Sequence, residues 1–131
     1  MVQEAYCSYE VAKLLKEKGF DEVCFKYALN GKIYNNGDFV ICHRDDVEVG
    51  IPTLQMAMKW LREVHDIIVV VEPHAYDYIN SKISSYVFCL WCGDNYEELY
   101  SNQHSNVYGV YYNSYEEAVE AALLYCLTNL I

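Results

Sequence analysis

The chain has 131 residues, of which 53% are hydrophobic, with only two prolines and six glycines. This composition predicts one folded domain over residues 1–131 and argues against a disordered chain. Nineteen acidic residues against nine basic ones give a formal net charge of −10. Because nucleic-acid affinity depends largely on basic groups that release counterions, we expect no direct nucleic-acid binding and a preference for basic partners.

No run of apolar residues approaches the roughly 18 to 20 that a membrane helix needs. The first ten residues, MVQEAYCSYE, have neither the basic nor the apolar region of a secretory signal. We therefore expect a cytoplasmic protein that does not bind membranes, with reduced thiols and no disulfide framework. The cysteines are Cys7, Cys24, Cys42, Cys89, Cys92 and Cys126.

The first predicted element is a helix from residue 8 to about residue 18. Ser8 can cap its N-terminus, and Gly19 can adopt the left-handed conformation that ends it. Val11, Leu14 and Leu15 form an apolar stripe along one side. This stripe is expected to face a core.

Two β-prone segments, 23–29 and 32–34, follow and are joined by an Asn-Gly pair at 30–31. Asn-Gly at such a junction predicts a type I′ hairpin turn, since both residues tolerate positive φ. Residues 38–42 (DFVIC) predict a third strand, and the polar, acidic stretch 43–50 predicts a loop.

Pro52 opens the second predicted helix, 52–65, at a position where the missing N–H of proline costs nothing. Its apolar face consists of Leu54, Ala57, Met58, Leu61 and Val64. Met56 and Trp60 lie on the flank of this face, and such a combination is typical of a core rather than of a cofactor site.

The second half of the chain predicts further strands. The aliphatic run 67–71 predicts a buried strand that ends at Pro73, because proline cannot donate to a ladder. A polar connection, 74–85, comes after it. The other segments with strand patterns are 86–92, 96–100 and 107–112.

The last predicted helix begins with a capping box, in which Ser114 accepts from the amide of Glu117 and the side chain of Glu117 reaches back. The helix that follows is apolar around its circumference, interrupted only by Glu120. It must be covered on more than one side, within the fold or in an oligomer. Together the elements predict an α+β fold of three helices on antiparallel sheet, in the order α-β-β-β-α-β-β-β-α.

Cys89 and Cys92 have the C-x-x-C spacing of redox and zinc sites, and Trp91-Cys92-Gly93 resembles part of a thioredoxin active site. In thioredoxin-type sites, however, the second cysteine lies two positions after the glycine, whereas Asp94 and Asn95 follow Gly93 here. Residues three apart on a strand also point to opposite faces. We therefore interpret the two cysteines as structural, with a metal or redox site as the alternatives.

Other groups of polar residues also have structural explanations. His65 and Asp66 could orient each other as a dyad, but the end of a helix already suits an imidazolium. The acidic groups at 45–48, 97–98 and 116–120 lack the alternating spacing of a calcium loop, and no P-loop pattern is present. We assign no catalytic, cofactor-binding or metal-binding residue and expect no cofactor.

The fourteen tyrosines combine a large apolar ring with a polar tip, which suits both half-buried strands and protein interfaces. Those that precede the last helix, Tyr108, Tyr111 and Tyr112, are the candidates for a contact surface.

Three segments carry a resemblance: SYEVAKLLKEKGF at 8–20, PTLQMAMKWLREVH at 52–65 and SYEEAVEAALLYCLTNLI at 114–131. With them the chain resembles a family of small uncharacterised proteins encoded by gut Bacteroidetes and their phages or mobile elements. The resemblance implies a cytoplasmic accessory protein of a mobile element, and it implies no activity and no catalytic residue.

These observations favour a non-enzymatic function, in which a small acidic accessory factor modulates a host protein by binding it, or pairs with a second copy. The alternative is a small-molecule or metal-binding domain, or an enzyme without a recognisable motif, whose pocket lies between helix and sheet. A fold without a polar-lined pocket would favour the first hypothesis. Convergent cysteine and histidine side chains would favour the second.

Overall fold

The computed structural model describes residues 2–41, 48–101 and 111–131, with the backbone only for residues 35–41. Its helices are α1 (Tyr9–Glu17), α2 (Leu54–Val64) and α3 (Tyr115–Tyr125), and α3 continues into a π-helical segment at Cys126–Leu130. Its strands are β1 (Val23–Leu29), β2 (Lys32–Ile41), β3 (Val49–Ile51), β4 (Ile67–Asp77), β5 (Lys82–Cys92) and β6 (Glu97–Ser101). The α+β fold class and the order of elements are confirmed.

The strands of the described chain form two antiparallel sheets, with the orders β2-β1-β3 and β4-β5-β6. In the first sheet Leu29 pairs with Lys32 across a turn in which Asn30 and Gly31 have φ values of 53° and 78°. Positive φ at both central residues defines a type I′ turn. The predicted hairpin is therefore confirmed.

Strand β2 is longer than predicted, because segments 32–34 and 38–42 belong to one strand as far as Ile41. An irregularity in the ladder absorbs the polar residues between them: Cys24 pairs with Val40, whereas Lys26 pairs with Asn35. The predicted loop at 43–50 is wrong at its end, where β3 pairs with β1. Positions 42–47 lie outside the described residues.

The prediction that β4 ends at Pro73 is wrong, since the strand continues to Asp77 and pairs with a β5 that begins at Lys82. Strand β4 is at an edge of its sheet, where a missing N–H leaves no ladder bond broken. A register shift follows Pro73 directly. Most of the predicted connection at 74–85 is therefore the outer part of a long β4–β5 hairpin.

The predicted strand 107–112 lies outside the described residues as far as position 110. Its last residue, Tyr112, forms an isolated antiparallel bridge with Tyr86. Two backbone bonds make this bridge, from Tyr86 N to Tyr112 O at 2.8 Å and from Tyr112 N to Tyr86 O at 3.0 Å. The bridge holds the chain beside β5 immediately before α3 begins.

The helix ends follow the predicted capping chemistry at two of the three helices. Ser8 Oγ accepts from Val11 N at 3.2 Å, and Gly19, with φ 98°, ends α1. Ser114 Oγ accepts from Glu117 N at 3.1 Å. Helix α2 begins two residues later than predicted, because Thr53, not the residue before Pro52, supplies the cap by accepting from Met56 N at 3.1 Å.

The main core lies between the three helices and the second sheet. Its buried members include Val11 and Leu15 from α1, Trp60 and Leu61 from α2, Phe88 and Leu90 from β5, and Val119 and Leu123 from α3. The first sheet packs on α1 through a smaller cluster formed by Ala12, Ala28, Val49 and Ile51. None of the described helices is long and apolar enough to cross a membrane.

Candidate functional site

The cysteines of the C-x-x-C pair lie on opposite faces of β5. The Cys89 sulfur accepts from Trp91 Nε1 at 3.2 Å, which places it with Trp91 on the face away from the helices. The Cys92 sulfur lies 3.6 Å from Asp66 Oδ2, beside the start of β4. Burial raises the pKa of the Cys89 thiol, whereas a redox-active cysteine needs a lowered one. The two sulfurs cannot share one site.

The glycine of the Trp-Cys-Gly sequence has a local structural role. Asp66, with φ 57°, aligns its carboxylate with the turn after β5, where Oδ2 accepts from Asp94 N at 2.6 Å. A Cβ atom added to Gly93 would lie only 2.4 Å from Asp66 Oδ1. A side chain at position 93 would therefore displace the Asp66 carboxylate, which gives Gly93 a local structural role and ends the likeness to thioredoxin.

His65 and Asp66 do not form a dyad. The His65 ring packs edge-on against Trp60 with 4.7 Å between centroids, and its buried Nε2 atom has no hydrogen-bond partner among the residues that the structure describes. The Asp66 carboxylate is bound to the turn that contains Asp94. Among residues 2–41, 48–101 and 111–131, no three histidine, cysteine or acidic side chains are grouped to hold a metal ion.

Two of the three candidate tyrosines lie among the described residues, and their surroundings differ. Tyr111 is exposed and stacks on His74 with 3.9 Å between centroids. Tyr112 is half-buried beside Phe88, on the side of the sheet that faces the helices, and burial raises the pKa of its hydroxyl. Tyr108 lies outside the described residues. Tyr111 and Tyr112 therefore lie in different surroundings, one exposed to solvent and the other facing the helices.

A concave surface, which we call the acidic groove, lies between the start of α1 and the exposed side of α3. Its first part is a cavity of about 560 Å³ lined by Glu10, Glu116, Glu117 and Glu120 over the apolar side chains of Val11, Leu54, Ala121 and Leu124. Its second part, of about 470 Å³, shares Glu10, Ala121 and Leu124 and continues to Phe88, Tyr100, Tyr112 and Tyr125. The shared residues make the two parts one groove.

Two of the four glutamates hold the backbone in place. Glu120 Oε1 accepts from Ser8 N at 3.0 Å, which ties α3 to the cap of α1. Glu117 Oε2 accepts from Asn113 N at 3.1 Å, one residue before the position that the capping box predicts. Glu10 and Glu116 are exposed. In the described parts of the chain, none of the four carboxylates forms an ion pair with a lysine or arginine.

The acidic groove has a negative potential that reaches the core. Burial raises the pKa of Cys7, and the nearby Glu120 carboxylate raises it further. The starts of α1, α2 and α3 all lie beside the groove, but each contributes only about half a positive charge. These partial charges do not offset four carboxylates, so the groove favours a cationic ligand.

The sequence contains only part of the signal for this groove. The sequence pattern places Glu116 and Glu117 in the first turn of a helix, and the structure has them in the first turn of α3. Their approach to Glu10 depends on the packing of α1 against α3, and the bond that fixes it joins residues 112 positions apart. Comparison of the chain with protein-family models, curated proteins and solved structures found no match.

Proposed function

We propose that the protein is a non-enzymatic interaction factor that binds a basic region of a partner protein through the acidic groove. The observation that carries this proposal is one continuous groove that combines an apolar floor with four carboxylates, none of which pairs with a lysine or arginine of the described residues. Carboxylates supply attraction and on-rate, and the apolar floor supplies the area whose burial favours binding. The net charge of −10 also favours the approach of a basic partner.

The biological setting is a second part of the proposal. The resemblance of residues 8–20, 52–65 and 114–131 to proteins of gut Bacteroidetes and their phages supports an accessory factor of a mobile element that modulates a host protein. Cytoplasmic location and self-association stay predictions, which cell fractionation and sedimentation test.

The alternative, a ligand-binding domain or an enzyme, has one specific observation in its favour. The second part of the groove lies between α3 and the second sheet, with Phe88, Tyr100 and Tyr112 on the sheet side. The first part of the groove is lined by carboxylates and is therefore a polar-lined pocket. The absence of such a pocket was the feature expected to favour an interaction protein, so this observation favours the alternative. Convergent cysteine and histidine side chains, the signature expected of the alternative, do not occur among the described residues. Metal analysis of the purified protein tests the metal-binding version.

A capture experiment tests the interaction proposal. The purified chain is immobilised and incubated with a lysate of a gut Bacteroidetes species, in parallel with the variant Glu10→Gln/Glu116→Gln. Both substitutions remove charge from the groove without removing a described hydrogen bond, because the bonds of the rim belong to Glu117 and Glu120. We expect a basic protein to be enriched by the wild type and depleted in the variant.

The matched control is Glu17→Gln/Glu63→Gln. It changes the net charge by the same amount at the ends of α1 and α2, outside the groove, and the one described contact that it removes is the exposed pair of Glu63 with Lys59. Capture that is equal for all three proteins would show non-specific attraction to an acidic surface. That result, or enrichment of no protein at all, would contradict the proposal.

A further inference from the structure

We infer that the segment recognised by the acidic groove is an amphipathic α-helix of about three turns with basic residues at one end. This inference rests on the proposed function and specifies the conformation and chemistry of the bound segment. The argument comes from three properties of the groove: its floor, its length and the position of its charges.

The floor of the groove is one stripe of α3 that the described chain leaves partly open. Ala118, Val119, Ala122 and Leu123 are fully buried, whereas Ala121 and Leu124 are only half-buried. Glu117, Ala121, Leu124 and Thr128 recur at spacings of four, three and four, so they lie along one side of the helix. The small side chain of Ala121 permits close approach of a second helix, and packed helix axes lie about 8–10 Å apart.

The length of the groove matches a helix better than a small molecule. The eight positions from Glu117 to the end of α3 at Tyr125 span about 12 Å at about 1.5 Å per residue, and the π-helical segment extends the stripe by three more positions to Thr128. About three turns of a partner helix cover the same distance. Tyr125 stacks on Tyr100 with 3.9 Å between ring centroids and forms a firm aromatic wall along the second half of this path.

The charges of the groove are concentrated at one end. Glu116, Glu117 and Glu120 line the first part only, and Glu10 lies where the two parts meet, whereas Thr128 and Asn129 line the far end of the second part. A complementary helix therefore carries lysine or arginine at one end and leucine-like side chains at helical spacing along the rest. Helix-in-groove recognition uses apolar anchors of this kind.

The test uses a defined peptide. An 18-residue peptide of leucine, alanine and lysine has leucines at alternating spacings of three and four and its lysines in one half. A scrambled peptide of the same composition has no apolar face. Binding is followed by fluorescence anisotropy, helix formation by circular dichroism, and the contact site by the amide shifts of α3.

We expect the amphipathic peptide to bind, to become helical and to shift the amides of Ala121 and Leu124, with the scrambled peptide bound much more weakly. Glu10→Gln/Glu116→Gln should weaken binding by about three- to tenfold, since exposed ion pairs contribute modestly. Glu17→Gln/Glu63→Gln should leave it unchanged. Ala121→Gln, which places a longer polar side chain in the half-open floor, should abolish binding while thermal unfolding confirms that the variant is folded.

Three outcomes would overturn the inference. Equal affinity for both peptides would show that the groove does not select a helix. Absence of peptide binding, with groove-dependent capture from the lysate intact, would exclude the helix but preserve the proposed function. Concentration-dependent self-association that Ala121→Gln abolishes would assign the groove to a second copy of the chain.

Discussion

The sheets β2-β1-β3 and β4-β5-β6 each have three antiparallel strands, but they differ in what covers them. Helices α2 and α3 pack on the second sheet, which contributes Ile67, Phe88 and Leu90 to the main core. The first sheet is covered by α1 through a cluster of only four buried side chains, Ala12, Ala28, Val49 and Ile51. On its other face Phe25 and Tyr34 are exposed.

The first sheet depends instead on local and polar contacts. Tyr27 and Tyr34 stack across the ladder with 5.4 Å between centroids, a kind of pair that contributes about 0.2–1 kcal/mol. The Glu48 carboxylate accepts from the Tyr9 hydroxyl and from Gly31 N, so it joins α1 to the turn of the β1–β2 hairpin. One sheet is therefore stabilised mainly by burial, and the other by contacts at its surface.

The largest expected effect tests burial in the second sheet. Leu90 is fully buried at the centre of β5, so Leu90→Ala should lower the free energy of unfolding by about 2–5 kcal/mol, as large-to-small core changes do. Equilibrium unfolding in urea measures this change. The control is Leu99→Ala, which changes an exposed leucine in the neighbouring strand. If Leu90→Ala lowered the free energy of unfolding no more than Leu99→Ala does, burial would not be what stabilises the second sheet.

A smaller effect is expected in the first sheet. Val49→Ala removes two buried methyl groups, which corresponds to about 1–2 kcal/mol at roughly 0.8 kcal/mol for each group. Because this cluster consists of residues of α1 and the first sheet, with Tyr6 and Tyr9 packed against it, we expect faster hydrogen exchange of the amides of β1 and β3, with those of β5 unchanged. Equal loss of protection in β5 would show that the two sheets unfold together.

The smallest effect is expected at the tip of the β4–β5 hairpin, which extends beyond the core and resembles the first sheet in its exposure. Asp77 accepts from Ile79 N at 2.9 Å and from Asn80 N at 3.2 Å, and its bonds to Asn80 are the main cause of a pKa below the ordinary 3.8. A lowered folded-state pKa means that the contribution of Asp77 is complete above 3.8 and is lost as the pH falls through the folded value.

NMR titration of the Asp77 carboxyl should therefore give a pKa below 3.8, and the amide shifts of Ile79 and Asn80 should follow the same titration. Asp77→Asn should remove this pH dependence and leave the amides of β6 unaffected. An ordinary pKa at Asp77 would contradict the assignment of the β4–β5 hairpin tip as a locally stabilised turn. The same holds if the amide shifts of β6 followed the titration of Asp77.

The features that the sequence predicted correctly are those determined by neighbours in the chain. Ser8, Gly19 and the Asn-Gly pair at 30–31 act through residues no more than four positions away, so their types alone indicate the structure. The end of β4 was predicted wrongly because the effect of Pro73 depends on whether its strand lies at an edge. The acidic groove was not predicted, since α1 and α3 meet only after the chain has folded.

The contact between Asp66 and Gly93 has a consequence for how this sequence can diverge. A side chain at position 93 would meet the carboxylate of residue 66, so a larger residue at 93 would displace that carboxylate from the amide of Asp94. The two positions should therefore vary as a pair among related chains, with glycine or a short side chain at 66 wherever 93 has lost its glycine. Such covariation can identify distant relatives in which Cys89 and Cys92 have been replaced.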